Sequence, residues 1–347
     1  MRFWLPAIFL AAVASAPREA SAQAQSQTQA QATSPARAAS QSQAESQAQP
    51  ASQAQASAFK PALPVEIARV KGDLYMITGE GGNVAVYVTG AGVILVDDMF
   101  YRNADDIVAK VATVTKEPIV YVLNTHQHDD HAGGNAKLLA IAKVIAHENV
   151  HANLSHIKQP YYEDTPGTPI GLPNVTFSDG LTVRVGGKEV RARYFGRGHT
   201  NGDAIVYFPE LKVIHTGDMF LGRTPAAAAA AASRPPGRGI YVDYAQGGSF
   251  IDWTRTLDAA LQLDFDTIIP GHGPVSTRAD LVQFRDDVEA MRDRMAMLIR
   301  SGATKQQVVN VFESDYGWRA TGCPPSPPTP GCLQFQQMDS LIAELSR

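Results

Sequence analysis

The chain has 347 residues, of which 44% are hydrophobic and 18% charged, and a formal net charge of -4. That composition excludes global disorder and leaves enough apolar material for a sizeable core. It also argues against nucleic acid as a partner, because no excess of Lys and Arg is present to neutralise a phosphate backbone.

Met1-Arg2 is a short basic start, residues 3–16 are apolar, and Ala20-Ser21-Ala22 precede Gln23. The pattern reads as a secretory signal peptide over residues 1–22, so the mature protein is expected in the periplasm or outside the cell. A membrane anchor is the competing reading, but the apolar stretch is shorter than the roughly 18 to 20 residues of a spanning helix, and Pro6 interrupts it. No stable membrane insertion is expected after cleavage. Residues 23–57 are almost entirely Gln, Ala and Ser, unable to build a core, and read as a disordered linker. Residues 58–347 then fit one domain, since no second linker divides them before the C-terminal tail.

Within that domain strand signals come first. Residues 72–77, 83–89 and Val93–Val96 carry β-branched side chains broken by Gly-Gly and Gly-Ala-Gly turns, the pattern of an antiparallel meander. Residues 104–115 have helical spacing, Ile119–Leu123 is a short apolar strand, and residues 135–142 are helical again. A second series of strands follows at Val175–Phe177, 181–185, 190–194, Ala204–Phe208 and Val213–His215, and residues 280–300 read as a long amphipathic helix. The order β-rich, α/β, β-rich, α/β predicts two similar halves. Between residues 223 and 248 a long loop contains the alanine run Ala226 to Ala232, read as a short exposed helix with no membrane role. Cys323 and Cys332 flank a Pro-rich stretch. A disulfide closing so short a loop would contribute about 2 to 3 kcal/mol; two free thiols are the equal alternative.

The chemistry concentrates in Asn124-Thr125-His126-Gln127-His128-Asp129-Asp130-His131-Ala132-Gly133-Gly134-Asn135, an H-x-H-x-D-H motif at the end of an apolar strand. In extended backbone His126 and His128 point the same way and can grip one metal, whereas Asp130 and His131 turn toward a second. Imidazole nitrogen and carboxylate oxygen are donors that Zn(II) prefers, and a catalytic site leaves one position for water. Three more candidates are His199 in Gly196-Arg197-Gly198-His199-Thr200, Asp218 in His215-Thr216-Gly217-Asp218, and His272 in Pro270-Gly271-His272-Gly273-Pro274. Each ends a short apolar run beside glycines that let backbone and metal approach closely.

This ordered set resembles the metallo-β-lactamase superfamily, and the resemblance covers essentially all of the mature domain. It implies an α+β, αββα four-layer sandwich, two mixed β-sheets flanked by helices. On matching positions it implies that His126, His128 and His199 hold one metal, that Asp130, His131 and His272 hold another, and that Asp218 bridges both. Asp97, the acid that follows Val93–Val96, would brace the ligand loop from behind. The implied cofactors are two Zn2+, with iron or manganese as alternatives. The implied reaction is hydrolysis by a water that two metals activate, oriented by Asp130 as the catalytic side chain.

The resemblance implies a small-molecule substrate: an ester, thioester, lactone or related carbonyl compound. An aspartate at position 218 resembles glyoxalase II-like thioesterases, lactonases and phosphodiesterases, whereas dedicated β-lactamases of the family usually carry Cys or Ser there. Leu221 stands where many of those enzymes place a lysine that anchors the drug's carboxylate. Hydrolysis of β-lactams is therefore the second expectation, favoured by export, and iron-dependent oxygenation of the sulfur dioxygenase kind is the third. The oligomeric state is not legible. Of the other histidines, His147, His151 and His156 read as a solvated helix face and His215 as a packed residue. Asp98, Asp129 and Asp203 read as caps or local charges, and Tyr241 and Tyr244 as loop packing.

Overall fold

Runs of β-branched residues build two sheets whose strands explain why so many of these segments are apolar throughout. A computed structural model describes residues 62–158, 167–222, 241–316 and 337–347. The expected leader over 1–22, the linker over 23–57, the alanine run and Cys323 with Cys332 all lie outside the described residues.

The first sheet takes its strands in chain order: β1 (Glu66–Lys71), β2 (Leu74–Thr78), β3 (Val84–Val88), β4 (Val93–Val96), β5 (Ile119–Leu123), β6 (Lys143–His147) and β7 (Val175–Phe177). β1 to β4 form an antiparallel meander, and β4 to β7 run parallel. The second sheet repeats that plan with β8 (Gly180–Val185), β9 (Lys188–Tyr194), β10 (Ala204–Phe208), β11 (Val213–His215), β12 (Thr267–Ile269) and β13 (Ser276–Thr277). Here β8 to β11 are antiparallel, β11 and β12 are parallel, and β13 closes the edge antiparallel. The two halves expected from the alternation of strand and helix are thus present as two mixed sheets.

Side chains on a strand alternate between faces, so a strand covered on both sides must be apolar at every position. In β4, Ile94 and Val96 join the core between the sheets, whereas Val93 and Leu95 face the outer layer. In β10, Ala204, Val206 and Phe208 point inward, and Ile205 and Tyr207 outward. The helices supply the outer layers. On the first sheet lie α1 (Ala104–Val114), through Ile107 and Val111, and the short α3 (Asn135–Leu138), through Leu138; α2 (Asp129–Ala132) precedes it and α4 (Glu148–His156) follows β6. On the second sheet lie α5 (Phe250–Ala260), α6 (Arg278–Arg300), α7 (Lys305–Tyr316) and α8 (Gln337–Leu345), packed through Trp253, Phe284, Phe312 and Leu341. The result is helix, sheet, sheet, helix.

Two differences from the sequence reading have local causes. The helix expected over 135–142 ends at Leu138, where the bond from Ala140 N–H to the Lys137 carbonyl tightens the chain into the turn that enters β6. His147 is not on a solvated face: it ends β6, caps α4 by accepting from Asn149 N–H, and is buried with its ring stacked 3.9 Å from Tyr194. His151 and His156 are more open. Among the described residues no helix is long and apolar enough to cross a membrane.

Phe208 packs edge-on against Tyr87 across the two sheets, with ring centroids 5.4 Å apart. Phe208→Ala is expected to lower unfolding stability by about 3 to 5 kcal/mol, through lost transfer energy and a cavity, as measured by urea denaturation.

Candidate metal centre

Parallel pairing sets the ends of neighbouring strands level, and the candidate residues sit in the loops that leave those ends. Val96 of β4 pairs with Leu123 of β5, so Asp97 and the loop 124–131 start side by side. His215 of β11 pairs with Ile269 of β12, which brings Asp218 and His272 together in the same way. His199 lies in the connection from β9 to β10. All seven predicted side chains converge in one place at the carboxyl edge of the parallel strands.

They form two groups that share members. The donor atoms of His126, His128 and His199 all lie within 4.8 Å of one another, as do those of Asp130, His131 and His272, and those of His126, His131 and Asp218. In the first group, His128 Nδ1 lies 3.2 Å from His126 Nε2 and 2.9 Å from His199 Nε2. In the second, His131 Nε2 is 3.3 Å from His272 Nε2, and Asp130 Oδ2 is 3.2 Å from His272 Nε2. Asp218 reaches both: Oδ1 is 3.1 Å from His131 Nε2 and 3.5 Å from His272 Nε2, and Oδ2 is 3.8 Å from His199 Nε2.

The partners behind the rings decide which nitrogen is left bare. A neutral imidazole donates from one nitrogen and offers a lone pair on the other. His199 Nδ1–H donates to the Tyr241 carbonyl at 2.7 Å, so Nε2 carries the lone pair. His128 Nε2–H donates to Asp243 at 2.9 Å, and His131 Nδ1–H to Asp97 at 2.8 Å. Thr125 Oγ1 gives its proton to Asp97 at 2.8 Å and is thereby an acceptor for His126 Nδ1–H at 3.1 Å. Every backing bond turns a lone pair toward the centre. Lone pairs crowded this closely in a buried place repel unless a cation lies among them, and Asp130 Oδ1, buried without a hydrogen bond, adds a further bare acceptor. The donor set fits divalent metal.

Electrostatics point the same way. Burial holds His126 well below the usual imidazole range and takes His199 down to about 4, so both are neutral near pH 7. Burial opposes charge on His131 and His272 as well, but the Asp218 and Asp130 carboxylates outweigh it and draw positive charge to that side. Asp218 itself is held well below the usual carboxylate range: burial would raise it, and His272 and His131 more than offset that. A cation answers the demand that these carboxylates create.

The backing residues are fixed in turn. Asp97 is fully buried with φ of 63°, left-handed backbone that a non-glycine residue adopts at a cost. That turn lets its carboxylate accept from Thr125 N–H at 2.7 Å while it holds His131. Asn83 ties the first sheet to the His272 loop, donating to the Pro270 and Gly273 carbonyls at 2.9 Å each. Asp203 accepts from Thr200 N–H and Oγ1 beside His199, and burial raises its carboxyl to about 7. Two glycines are required by space alone: a Cβ on Gly82 would meet His131 Cε1 at 2.1 Å, and one on Gly271 would meet Asp218 Oδ1 at 2.0 Å.

Sequence reasoning missed Asp243 and Asn83. Asp243 is 115 positions from the histidine it backs, and no spacing rule links them. His215 uses both ring nitrogens on backbone, donating to the Asn83 carbonyl and accepting from Gly217 N–H, the role of a packed residue. Tyr241 contributes its carbonyl to His199, and its ring lies 5.5 Å from that imidazole, so it does more than pack its loop.

The family model of the metallo-beta-lactamase superfamily matches residues 77–272. The chain belongs to this superfamily. Among curated relatives, a hydroxyacylglutathione hydrolase of Synechococcus sp. (strain JA-3-3Ab) is 33% identical over 121 residues, covering 35% of this chain and 40% of that protein. A metallo-beta-lactamase type 2 of Elizabethkingia meningoseptica is 26% identical over 46% of this chain and 64% of its own length. The chain therefore spans less than two thirds of either relative. A type 2 enzyme of Bacillus cereus is 25% identical over 62% of this chain and 76% of its own. The crystal structure of DIM-1 metallo-beta-lactamase superposes with a TM-score of 0.53 at 20% identity, covering 66% of this chain and 99% of the other, a likeness of fold. Superfamily members are mostly metal-dependent hydrolases, and the His/Asp cluster described above suits that chemistry.

Asp97→Asn keeps the side-chain shape and removes the charge behind His131. It is expected to weaken metal retention about 10- to 100-fold, read by competition with a chromogenic chelator.

Proposed function

We propose that this protein is a dinuclear zinc hydrolase of the cell exterior or periplasm that cleaves an ester, thioester or lactone. The observation that carries the reading is the placement of Asp218, one oxygen directed to His131 and His272 and the other to His199. A carboxylate in that position joins two ligand groups into one centre. His126, His128 and His199 would hold one metal and Asp130, His131 and His272 the other, with Asp218 shared. Bound metal supplies Lewis-acid polarisation of a carbonyl and lowers the pKa of water toward neutrality.

The chain's own residues do the rest. Asp243 and the Tyr241 carbonyl keep His128 and His199 in the tautomers that present lone pairs, and Asp97 does so for His131. Asp130 has Oδ2 against His272 and leaves Oδ1 without a hydrogen bond, so this carboxylate would have acceptor capacity left to orient the attacking water. His272, the most open of the set with 36% of its side chain exposed, marks the side from which substrate enters.

Asp218 favours the esterase, thioesterase and lactonase branch, whose members it resembles at a position where dedicated β-lactamases of the family usually carry Cys or Ser. Leu221 offers no cation to a β-lactam carboxylate. The alignment with the Bacillus cereus type 2 metallo-beta-lactamase, which reaches over 62% of this chain, supports β-lactam hydrolysis as the second reading. Sulfur dioxygenation on iron is the third.

The deciding assay compares a lactone, a thioester, a phosphodiester and a chromogenic cephalosporin on zinc-loaded protein. Turnover is expected to be highest on the lactone or thioester, and Asp218→Ala is expected to lower kcat/KM at least about a hundredfold. Preference for the cephalosporin would replace the first reading with the second. Oxygen uptake with a persulfide on iron-loaded protein, with no hydrolysis, would favour the third.

A further inference from the structure

The segment 241–250 is held from two sides, and only one of them belongs to the centre described above. On its inner side the Tyr241 carbonyl receives His199 Nδ1–H, Asp243 receives His128 Nε2–H, and Asp243 N–H donates to the His199 carbonyl at 2.8 Å. On its outer side lies α8. Gln337 Nε2 donates to the Tyr241 hydroxyl at 2.9 Å. Seven residues on, two turns along the same face, Glu344 accepts three hydrogen bonds: from Tyr244 OH at 2.7 Å, Ser249 Oγ at 2.5 Å and Phe250 N–H at 3.0 Å. Leu341, between them, is buried.

This arrangement exceeds what docking a helix requires. Met338, Leu341 and Leu345 already anchor α8 in the outer core, and Asp339 pairs with Lys305 of α7 at 2.7 Å. Gln337 and Glu344 instead grip the two ends of the one segment that backs two histidines. Burial and the Glu344 carboxylate together push the Tyr244 phenol upward, so it remains a donor. The other ligand group is braced from the first sheet, by Asp97 and Asn83, and α8 makes no hydrogen bond to those residues among the described residues.

We propose that Gln337 and Glu344 are positioning residues for His128 and His199, acting through Asp243 and Tyr241, so that the seating of α8 sets the metal affinity of the His126, His128 and His199 group selectively. The inference rests on the reading that the two groups hold metal. Backing interactions of this kind change metal affinity by about 10- to 100-fold, because a ring free to swing no longer presents its lone pair.

The test titrates zinc into the full chain against a chromogenic chelator and resolves two binding steps. His199→Ala identifies the step that belongs to the first group. Glu344→Ala and Gln337→Ala are each expected to weaken that step about tenfold or more and to leave the other step within about twofold. Glu344→Gln, which keeps an acceptor, restores most of the loss. Asp339→Ala removes a different tie of the same helix and leaves both steps unchanged. Equal weakening of both steps, or a lower Tm with both affinities intact, overturns the inference while leaving the dinuclear reading in place. A wild-type chain that takes up no zinc overturns that reading itself.

Discussion

Imidazole and carboxylate donors of seven residues meet in a space that excludes most water, and like lone pairs in such a space repel. Four of these residues have their orientation enforced by a bond at their back, through Thr125, Asp97, Asp243 and the Tyr241 carbonyl. Each backing bond alone is worth about 0.5 to 1.5 kcal/mol, and about 1.5 to 3 kcal/mol where a carboxylate is involved. Together they preorganise a cluster of donors that suits cationic charge. The fold exists around that requirement: strained backbone at Asp97 and glycines at 82 and 271 are tolerated because they bring the donors together.

The division of labour follows the two halves. The first sheet ends in the loop that carries His126, His128, Asp130 and His131, and it also provides Asp97 as their common anchor. The second sheet provides His199, Asp218 and His272 from the ends of β9, β11 and β12. Neither half holds a complete set. The centre therefore forms only when the sheets are pressed face to face, which couples the core between them, with Tyr87 and Phe208, to the chemistry at its edge.

Much of this was legible in the chain because the informative residues are close together. Four donors fall within six positions after an apolar strand, and the alternation of His126 and His128 follows from extended backbone. The apolar, β-branched runs of β4 and β10 were legible as strands, and their burial on both faces became plain in the fold. What stayed hidden depends on long-range contact. β1 is half polar and lies at a sheet edge, so it carries no clear pattern. α5, α7 and α8 are short, and their buried faces become plain only where they pack into the outer core, through Trp253 and Leu257, Phe312 and Tyr316, and Leu341 and Leu345. Asp243 and Asn83 act on residues more than a hundred positions away, and only folding reveals the pairing. His147 was misplaced because helical spacing with His151 and His156 suggested an exposed face, whereas it belongs to the end of a buried strand.

The central claim is that Asp218 joins two ligand groups that each hold an ion. Anomalous diffraction at the zinc edge from crystals of the purified protein tests it directly. Two peaks are predicted, one among His126, His128 and His199 and one among Asp130, His131 and His272, with Asp218 in contact with both. A single peak at full occupancy, or peaks away from these side chains, would contradict the account.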